Sequence, residues 1–257
     1  MKLVLVQPRL SVDPQADNLG VLSRLLEGLA PTLAASDLVL LPEHVIVGAS
    51  RAQYEQGIAA LARRFACHVV GGSHHEQRGA TRVNRGVAAD ASGQIIAEYE
   101  KLRPYADERS RVQPGAQLGE FSIAGHRLLV LICADFWFSD MFYRASALPD
   151  LVLVPAHSVS RKPTPDYSRA LWRHLAVARA YEFGVFVGVS DWAHAVESGR
   201  LPPSGVAGLA DPTRVDPPTM FRPVASSVQV YELDFAALAS FRHDRQIRGF
   251  FWRAPES

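Results

Sequence analysis

Asp37-Leu-Val-Leu-Leu-Pro-Glu-His44 and Asp150-Leu-Val-Leu-Val-Pro-Ala-His157 read as one pattern written twice. Each is an aspartate, four apolar residues, a proline and, two residues on, a histidine. A short continuous apolar run closed by proline is what a strand buried on both faces leaves in a sequence. The echo continues outward. Leu3-Val-Leu-Val-Gln7 resembles Leu129-Val-Leu-Ile-Cys133, and Val69-Val-Gly-Gly-Ser73 resembles Phe186-Val-Gly-Val-Ser190. The order is the same in both halves, and the offsets run from 113 to 126 residues, near half the chain. Three pairs in order predict two similar α/β halves packed sheet against sheet.

The segments between these runs agree. Leu3–Gln7, Leu38–Leu41, Val69–Gly72, Leu128–Cys133, Leu151–Val154 and Val185–Val189 are the expected buried strands. Asn18 to Leu29 places Leu19, Leu22, Leu25, Leu26 and Leu29 on one helical face, and Gln53–Phe65 and Ser168–Phe183 repeat that period. Strand alternating with helix indicates an α/β architecture. Arg82–Ala89 and Gln94–Glu98 flank Asp90-Ala-Ser-Gly93, a hairpin turn, so the sheets are expected to be mixed. Pro202–Gly205 and Asp211–Met220 read as loops. The apolar and basic Phe235–Trp252 is expected to pack on the core or on a partner. No linker separates domains, and residues 1–257 are expected to form a single domain.

Composition narrows the function. Lys and Arg number 27 against 26 Asp and Glu, a net charge of +1, so no basic excess points to nucleic acid or an anionic membrane. No run approaches the roughly 18 apolar residues of a membrane span, and the apolar start Leu3–Val6 is too short for a signal peptide. The two cysteines, Cys67 and Cys133, make no disulfide framework, and a cytoplasmic location is expected. The nine histidines show no zinc-type spacing, so a metal is not expected. Phosphate-binding glycine loops and Gly-x-Ser-x-Gly elbows are absent from the sequence.

Four strand ends carry reactive groups. Cys133 closes the apolar run Leu128–Ile132, and α/β sheets place reactive groups at strand C-termini. Asp135, inside an apolar run, needs a partner or a purpose. A thiol needs a base or a local field to become a nucleophile. One candidate set is histidine: His44 and His157 each follow a strand, which would give a Cys-His pair as in papain-like enzymes. The other is a carboxylate with an ammonium, namely Glu43 after Leu38–Pro42 and Lys101 after Ile95–Glu100.

Together these positions resemble the nitrilase superfamily of carbon–nitrogen hydrolases. The matching contexts are Leu41-Pro42-Glu43, Tyr99-Glu100-Lys101-Leu102 and Leu131-Ile132-Cys133-Ala134-Asp135-Phe136, with 32 residues from Lys101 to Cys133. Val70–Gly72, Asn84, Asp90–Gly93, Ala178–Phe183 and Gly205–Pro212 extend the likeness over nearly the whole chain. The resemblance implies an α-β-β-α sandwich with mixed sheets and a Glu-Lys-Cys triad. Cys133 would attack a carbonyl carbon, Glu43 would move the protons, and Lys101 with the backbone N–H of Ala134 would hold the oxyanion. Glu108 fits a second glutamate that positions the amide and holds Lys101. Glu182 would tie down a backbone or dimer contact. Arg103-Pro104, Ala134, Phe183 and Ser139 depart from the usual residues. The aromatics Phe136, Trp137 and Phe138 stand where many branches carry an arginine. Phe136, Trp137 and Phe138 are therefore candidates for an apolar pocket wall; His157 is a further pocket candidate, and Arg161-Lys162 could meet a substrate carboxylate.

The implied reaction is hydrolysis of a small carboxamide to an acid and ammonia through a thioester, in a homodimer or higher homo-oligomer built on residues near 166–183 and the C-terminal tail. That reaction needs no cofactor. Nitrilase and N-carbamoyl amidase activity are the alternatives. A catalytically silent sandwich serving as a binding or scaffold subunit is the alternative of another class.

Overall fold

The computed structural model describes residues 1–195 and 201–252. In chain order the elements are β1 (Lys2–Val6), α1 (Asn18–Leu26), β2 (Leu38–Leu40), α2 (Arg51–Phe65), β3 (His68–Val70), β4 (His74–Arg78), β5 (Thr81–Ala89), β6 (Ile95–Glu100), β7 (Gly119–Ile123), β8 (His126–Val130), α3 (Asp140–Tyr143), β9 (Leu151–Pro155), α4 (Asp166–Phe183), β10 (Phe186–Ser190), β11 (Gly208–Ala210), β12 (Phe221–Pro223), β13 (Val228–Glu232) and α5 (Phe235–Ile247). Two mixed sheets result. One runs β13-β1-β2-β3-β5-β4, with β6 also paired to β5; the other runs β12-β11-β10-β9-β8-β7.

The internal echo is the symmetry of this arrangement. β1, β2 and β3 lie parallel and adjacent in the first sheet. β8, β9 and β10 do the same in the second. These are the three similar pairs, in order. Strands of this kind are covered on both faces, which is why their sequences are continuously apolar. Leu3, Leu5, Leu38, Leu40 and Val70 join the core shared with β8–β10. Their alternates Val4, Val6, Val39, Leu41 and Val69 pack with Leu22 and Leu26 of α1 and Ile58 and Phe65 of α2. Trp172, Ala176, Ala180 and Phe183 of α4 close the outer side of the second sheet. The layers are therefore helix, sheet, sheet, helix.

Two details hold the sheets together. A Cβ on Gly188 of β10 would stand 2.7 Å from Leu3 Cδ2, so the missing side chain lets β1 and β10 approach. Ser190 Oγ donates to the Leu40 carbonyl at 2.8 Å and accepts the Val6 N–H at 3.0 Å.

Boundaries differ from the sequence reading where local chemistry intervenes. The α-helix from Asn18 stops at Leu26, and Glu27–Thr32 continue as a 3-10 turn containing Pro31, which has no N–H to give. The strand expected to reach Cys133 ends at Val130. The C-terminal segment packs on its own chain: Leu238 is buried and Trp252 Nε1 donates to the Phe183 carbonyl. Among the described residues no helix is long and apolar enough to cross a membrane.

Candidate active site

Glu43, Lys101, Cys133 and His157 all follow the C-terminal ends of strands, and the fold gathers them at one edge of the sandwich. The backbone around Glu43 is fixed from both halves. Its N–H donates to the Ala156 carbonyl at 3.2 Å, and its own carbonyl accepts Trp192 Nε1–H at 2.7 Å. Gly72, at φ +65°, lies under this turn, where a Cβ would come within 1.8 Å of the Pro42 oxygen. Lys101 is held by its N–H to the Asn84 carbonyl at 2.8 Å. After Val130 the chain turns sharply, and Cys133 takes φ +46° at the start of the 3-10 turn Cys133–Trp137. A left-handed non-glycine residue costs on the order of 1–3 kcal/mol and persists where the surroundings impose it.

Asp135 supplies that constraint. Its carboxylate accepts the N–H groups of Leu102 (3.1 Å) and Arg103 (2.7 Å). The aspartate foreseen to need a partner thus joins the Cys133 turn to the segment after Lys101. Burial raises its pKa to about 7, against the pull of those N–H groups and of Lys101.

Lys101 Nζ lies between two carboxylates, 2.8 Å from Glu43 Oε1 and 2.5 Å from Glu108 Oε2. Asn84 Nδ2 bridges the same pair, donating to Glu43 Oε1 (2.8 Å) and Glu108 Oε1 (2.9 Å). The His157 N–H donates to Glu43 Oε2 at 3.2 Å. Burial alone would raise the pKa of Glu43, but Lys101 and His44 outweigh it and the net shift is downward. Glu108 is lowered too, as its bonds to His75 and Lys101 overcome burial. The Lys101 ammonium is raised, because Glu43, Cys133 and Glu108 together overcome its desolvation. The Cys133 thiol is pushed well up by burial and by Glu43, with Lys101 and the His157 backbone opposing. The resting charges are two carboxylates, one ammonium and a neutral thiol.

A cavity of about 400 Å³ opens over Cys133 and Ala134. Its walls include Trp137, Phe138, His157, Leu171 and Trp172, with Arg161 and Lys162 on the lining. Of the candidate pocket residues, Trp137, Phe138 and His157 lie on this lining. Phe136 does not: it is fully buried, stacked on Trp172 and tilted against Phe142, because the 3-10 turn sends residue 136 inward and 137 outward. Glu182 is 43% exposed and pairs with Arg179 one helical turn back. The loop carrying the wall is pinned by buried Asp191, which accepts the Ser158 N–H and Oγ–H and the Val206 N–H.

Two residues escaped the sequence reading as site components. Asn84 lies within β5 and His75 within β4, paired across the ladder. His75 Nε2 meets Glu108 Oε1 at 3.0 Å. His44, in a left-handed conformation at φ +57°, packs edge-on to His75 with ring centroids 4.5 Å apart. Burial lowers its pKa to about 4, against the pull of Glu43. His157 stacks on Trp192 at 4.4 Å. His44, His75 and His157 also line a second cavity of about 930 Å³. Linear spacing conceals the meeting of His44, His75 and Glu108, whose ligating atoms lie within 4.8 Å of one another.

Comparison with known proteins gives the family and the fold. A curated relative, the 2-oxoglutaramate amidase of Bacillus subtilis, is 28% identical over 165 residues, which is 59% of this chain and 62% of the relative. The chain thus spans less than two thirds of that relative's length. A CN-hydrolase superfamily protein of Xanthomonas campestris, solved with an arsenic adduct in its active site, superposes with a TM-score of 0.76 at 25% identity, covering 95% of this chain and 94% of that one. A member of branch 10 of the nitrilase superfamily from Saccharomyces cerevisiae superposes with a TM-score of 0.79 at 21% identity, covering 95% and 93%. The carbon–nitrogen hydrolase family model matches residues 4–213, and the chain belongs to that family.

Proposed function

We propose that the chain hydrolyses a small linear carboxamide to a carboxylic acid and ammonia through a thioester on Cys133. The observation that carries this is the seat of Lys101 between the carboxylates of Glu43 and Glu108, beside a cysteine in a forced left-handed turn under a cavity. Since the thiol rests protonated and Glu43 rests ionised, Glu43 accepts the thiol proton as sulfur attacks the carbonyl carbon. The amide oxygen becomes an oxyanion, stabilised by the Lys101 ammonium and the N–H of Ala134. Collapse breaks the C–N bond, and the proton held by Glu43 leaves with ammonia. Glu43 then draws a proton from water as the water attacks the thioester; the C–S bond breaks, the acid leaves, and that proton returns from Glu43 to the Cys133 sulfur. Glu108 holds Lys101 and positions the amide.

The apolar walls at Trp137, Phe138 and Leu171 suit a short carbon chain, and Arg161 and Lys162 suit an anionic group at its far end. The amidase activity named for the Bacillus relative supports an amide over a nitrile or carbamoyl substrate. A dimer through α4 and α5, where Tyr167, Leu171, Tyr181 and Ile247 are exposed, is part of the same proposal. Light scattering giving a monomer mass would refute that part.

The test is ammonia release from a panel of small amides, nitriles and carbamoyl compounds, with wild type and Cys133→Ala side by side. The expected result is release from amides by wild type alone. Release that survives Cys133→Ala would sink the mechanism. No release, with no acyl adduct of Cys133 by mass spectrometry, would favour the silent sandwich.

A further inference from the structure

His44, His75 and Glu108 come from three separate segments: the turn after β2, strand β4 and the loop after β6. The proposed chemistry uses only Glu108 among them. It needs no imidazole, yet two point at the same carboxylate oxygen. Glu108 Oε1 is 3.0 Å from His75 Nε2 and 3.8 Å from His44 Nε2. Two imidazole nitrogens and one carboxylate oxygen form the donor set of open catalytic-type zinc sites, with metal–ligand distances of roughly 2.0–2.2 Å. Tetrahedral ligands at such distances stand a little over 3 Å apart, so donors already within 4.8 Å of one another need only small side-chain movements.

The oxygens of Glu108 are divided in a way that leaves room for an ion. Oε2 is held by Lys101, while Oε1 accepts Asn84 Nδ2–H and faces the imidazoles. A cation would take the place of the contact between His75 and Oε1, with His75 carrying its proton on Nδ1 instead. Charge favours it, since Glu43 and Glu108 face the single ammonium of Lys101. Access is open, because His44 and His75 both line the 930 Å³ cavity, which meets the pocket over Cys133 only at His157. Imidazole-rich sites of this type select zinc-like divalent ions over magnesium or calcium.

We propose that His44, His75 and Glu108 bind one zinc-type divalent cation, and that its occupancy slows turnover by drawing Glu108 off the proposed catalytic cluster. The slowing rests on the amidase reading; the binding does not.

The test therefore begins with binding. Tag-free full chain carrying Cys133→Ala, which removes the active-site thiol as a ligand, is titrated with zinc chloride alone by calorimetry. Its metal content is measured after dialysis. The expected result is one zinc per chain, weakened at least about 10-fold by adding His75→Ala or His44→Ala, since even outer-shell partners are worth 10–100-fold. Thermal unfolding of each variant without zinc checks its fold. His75→Gln serves where His75→Ala does not fold. A zinc-dependent rise in melting temperature should appear in the Cys133→Ala protein and vanish in the double variants. The proposal is overturned if Cys133→Ala binds no zinc, or if the histidine substitutions leave its affinity unchanged. If binding holds, zinc should lower ammonia release by wild type and chelation restore it; unchanged release would overturn the regulatory half alone.

Discussion

Asp135 accepts the backbone N–H of Arg103 at 2.7 Å, so the residue two after Cys133 grips the residue two after Lys101. The nucleophile turn and the lysine loop are thereby positioned as one unit from opposite sheets. The arrangement has a pH signature. The folded-state pKa of Asp135 is raised to about 7 from an ordinary value near 3.8. The folded protein therefore binds a proton that the unfolded chain has lost. The stability this group contributes is fully present below pH 3.8 and is lost as pH rises through 7, at about 1.4 kcal/mol for each pH unit in between. Asp135→Asn removes that slope. The stability difference, wild type minus Asp135→Asn, should fall between pH 4 and pH 7 in urea unfolding. A constant difference would contradict the assignment.

The buried ammonium should matter for folding as well as for rate. Lys101→Met leaves Glu43 and Glu108 facing each other without a cation. Breaking a buried pair by removing one partner typically costs about 3–5 kcal/mol. The loss should shrink in Lys101→Met/Glu43→Gln, where only one carboxylate remains, and chemical denaturation of the set reads it directly. Catalytically, Lys101→Met should lower kcat by on the order of 10²–10³, the usual effect of losing an oxyanion donor.

The thiol distinguishes two mechanisms. A Cys133–His157 ion pair would present a thiolate at neutral pH, and alkylation would level off there. Here burial and the Glu43 carboxylate push the Cys133 thiol well above its ordinary range, and burial lowers His157. Iodoacetamide should therefore react slowly at pH 7, at a rate still rising about tenfold per pH unit past pH 9. His157→Ala should keep more activity than Glu43→Gln. The reverse order would support the papain-like alternative.

Legibility in the sequence followed burial on both faces. The six parallel strands β1–β3 and β8–β10 stood out because double coverage makes their central positions a continuous apolar run, and their repetition exposed the symmetry. β4, with His-His-Glu-Gln-Arg, and the three-residue β12 carry no such run. The same limit applied to the site. Glu43, Lys101 and Cys133 follow strand ends, where proline or a break in the apolar run marks them. Asn84 and His75 sit mid-strand and reach the carboxylates only through the β4–β5 register, which linear spacing does not encode.

The aromatic run after Cys133 separates packing from specificity. Phe136 is fully buried against Trp172 and Phe142, while Trp137 is 39% exposed and lines the cavity over Cys133. Phe136→Ala should lose about 3–5 kcal/mol of stability, the usual cost of emptying a buried aromatic site. Its preference among amides should be little changed at a temperature where it stays folded. Trp137→Ala should unfold close to wild type, yet raise KM for amides with longer acyl chains relative to short ones, because one apolar wall of the pocket is gone. Each buried CH₂ in contact with that wall is worth about 0.8 kcal/mol, so the ratio of kcat/KM between a four-carbon and a two-carbon amide should fall several-fold. If Phe136→Ala alters that ratio and Trp137→Ala does not, the acyl group occupies a different cavity from the one over Cys133.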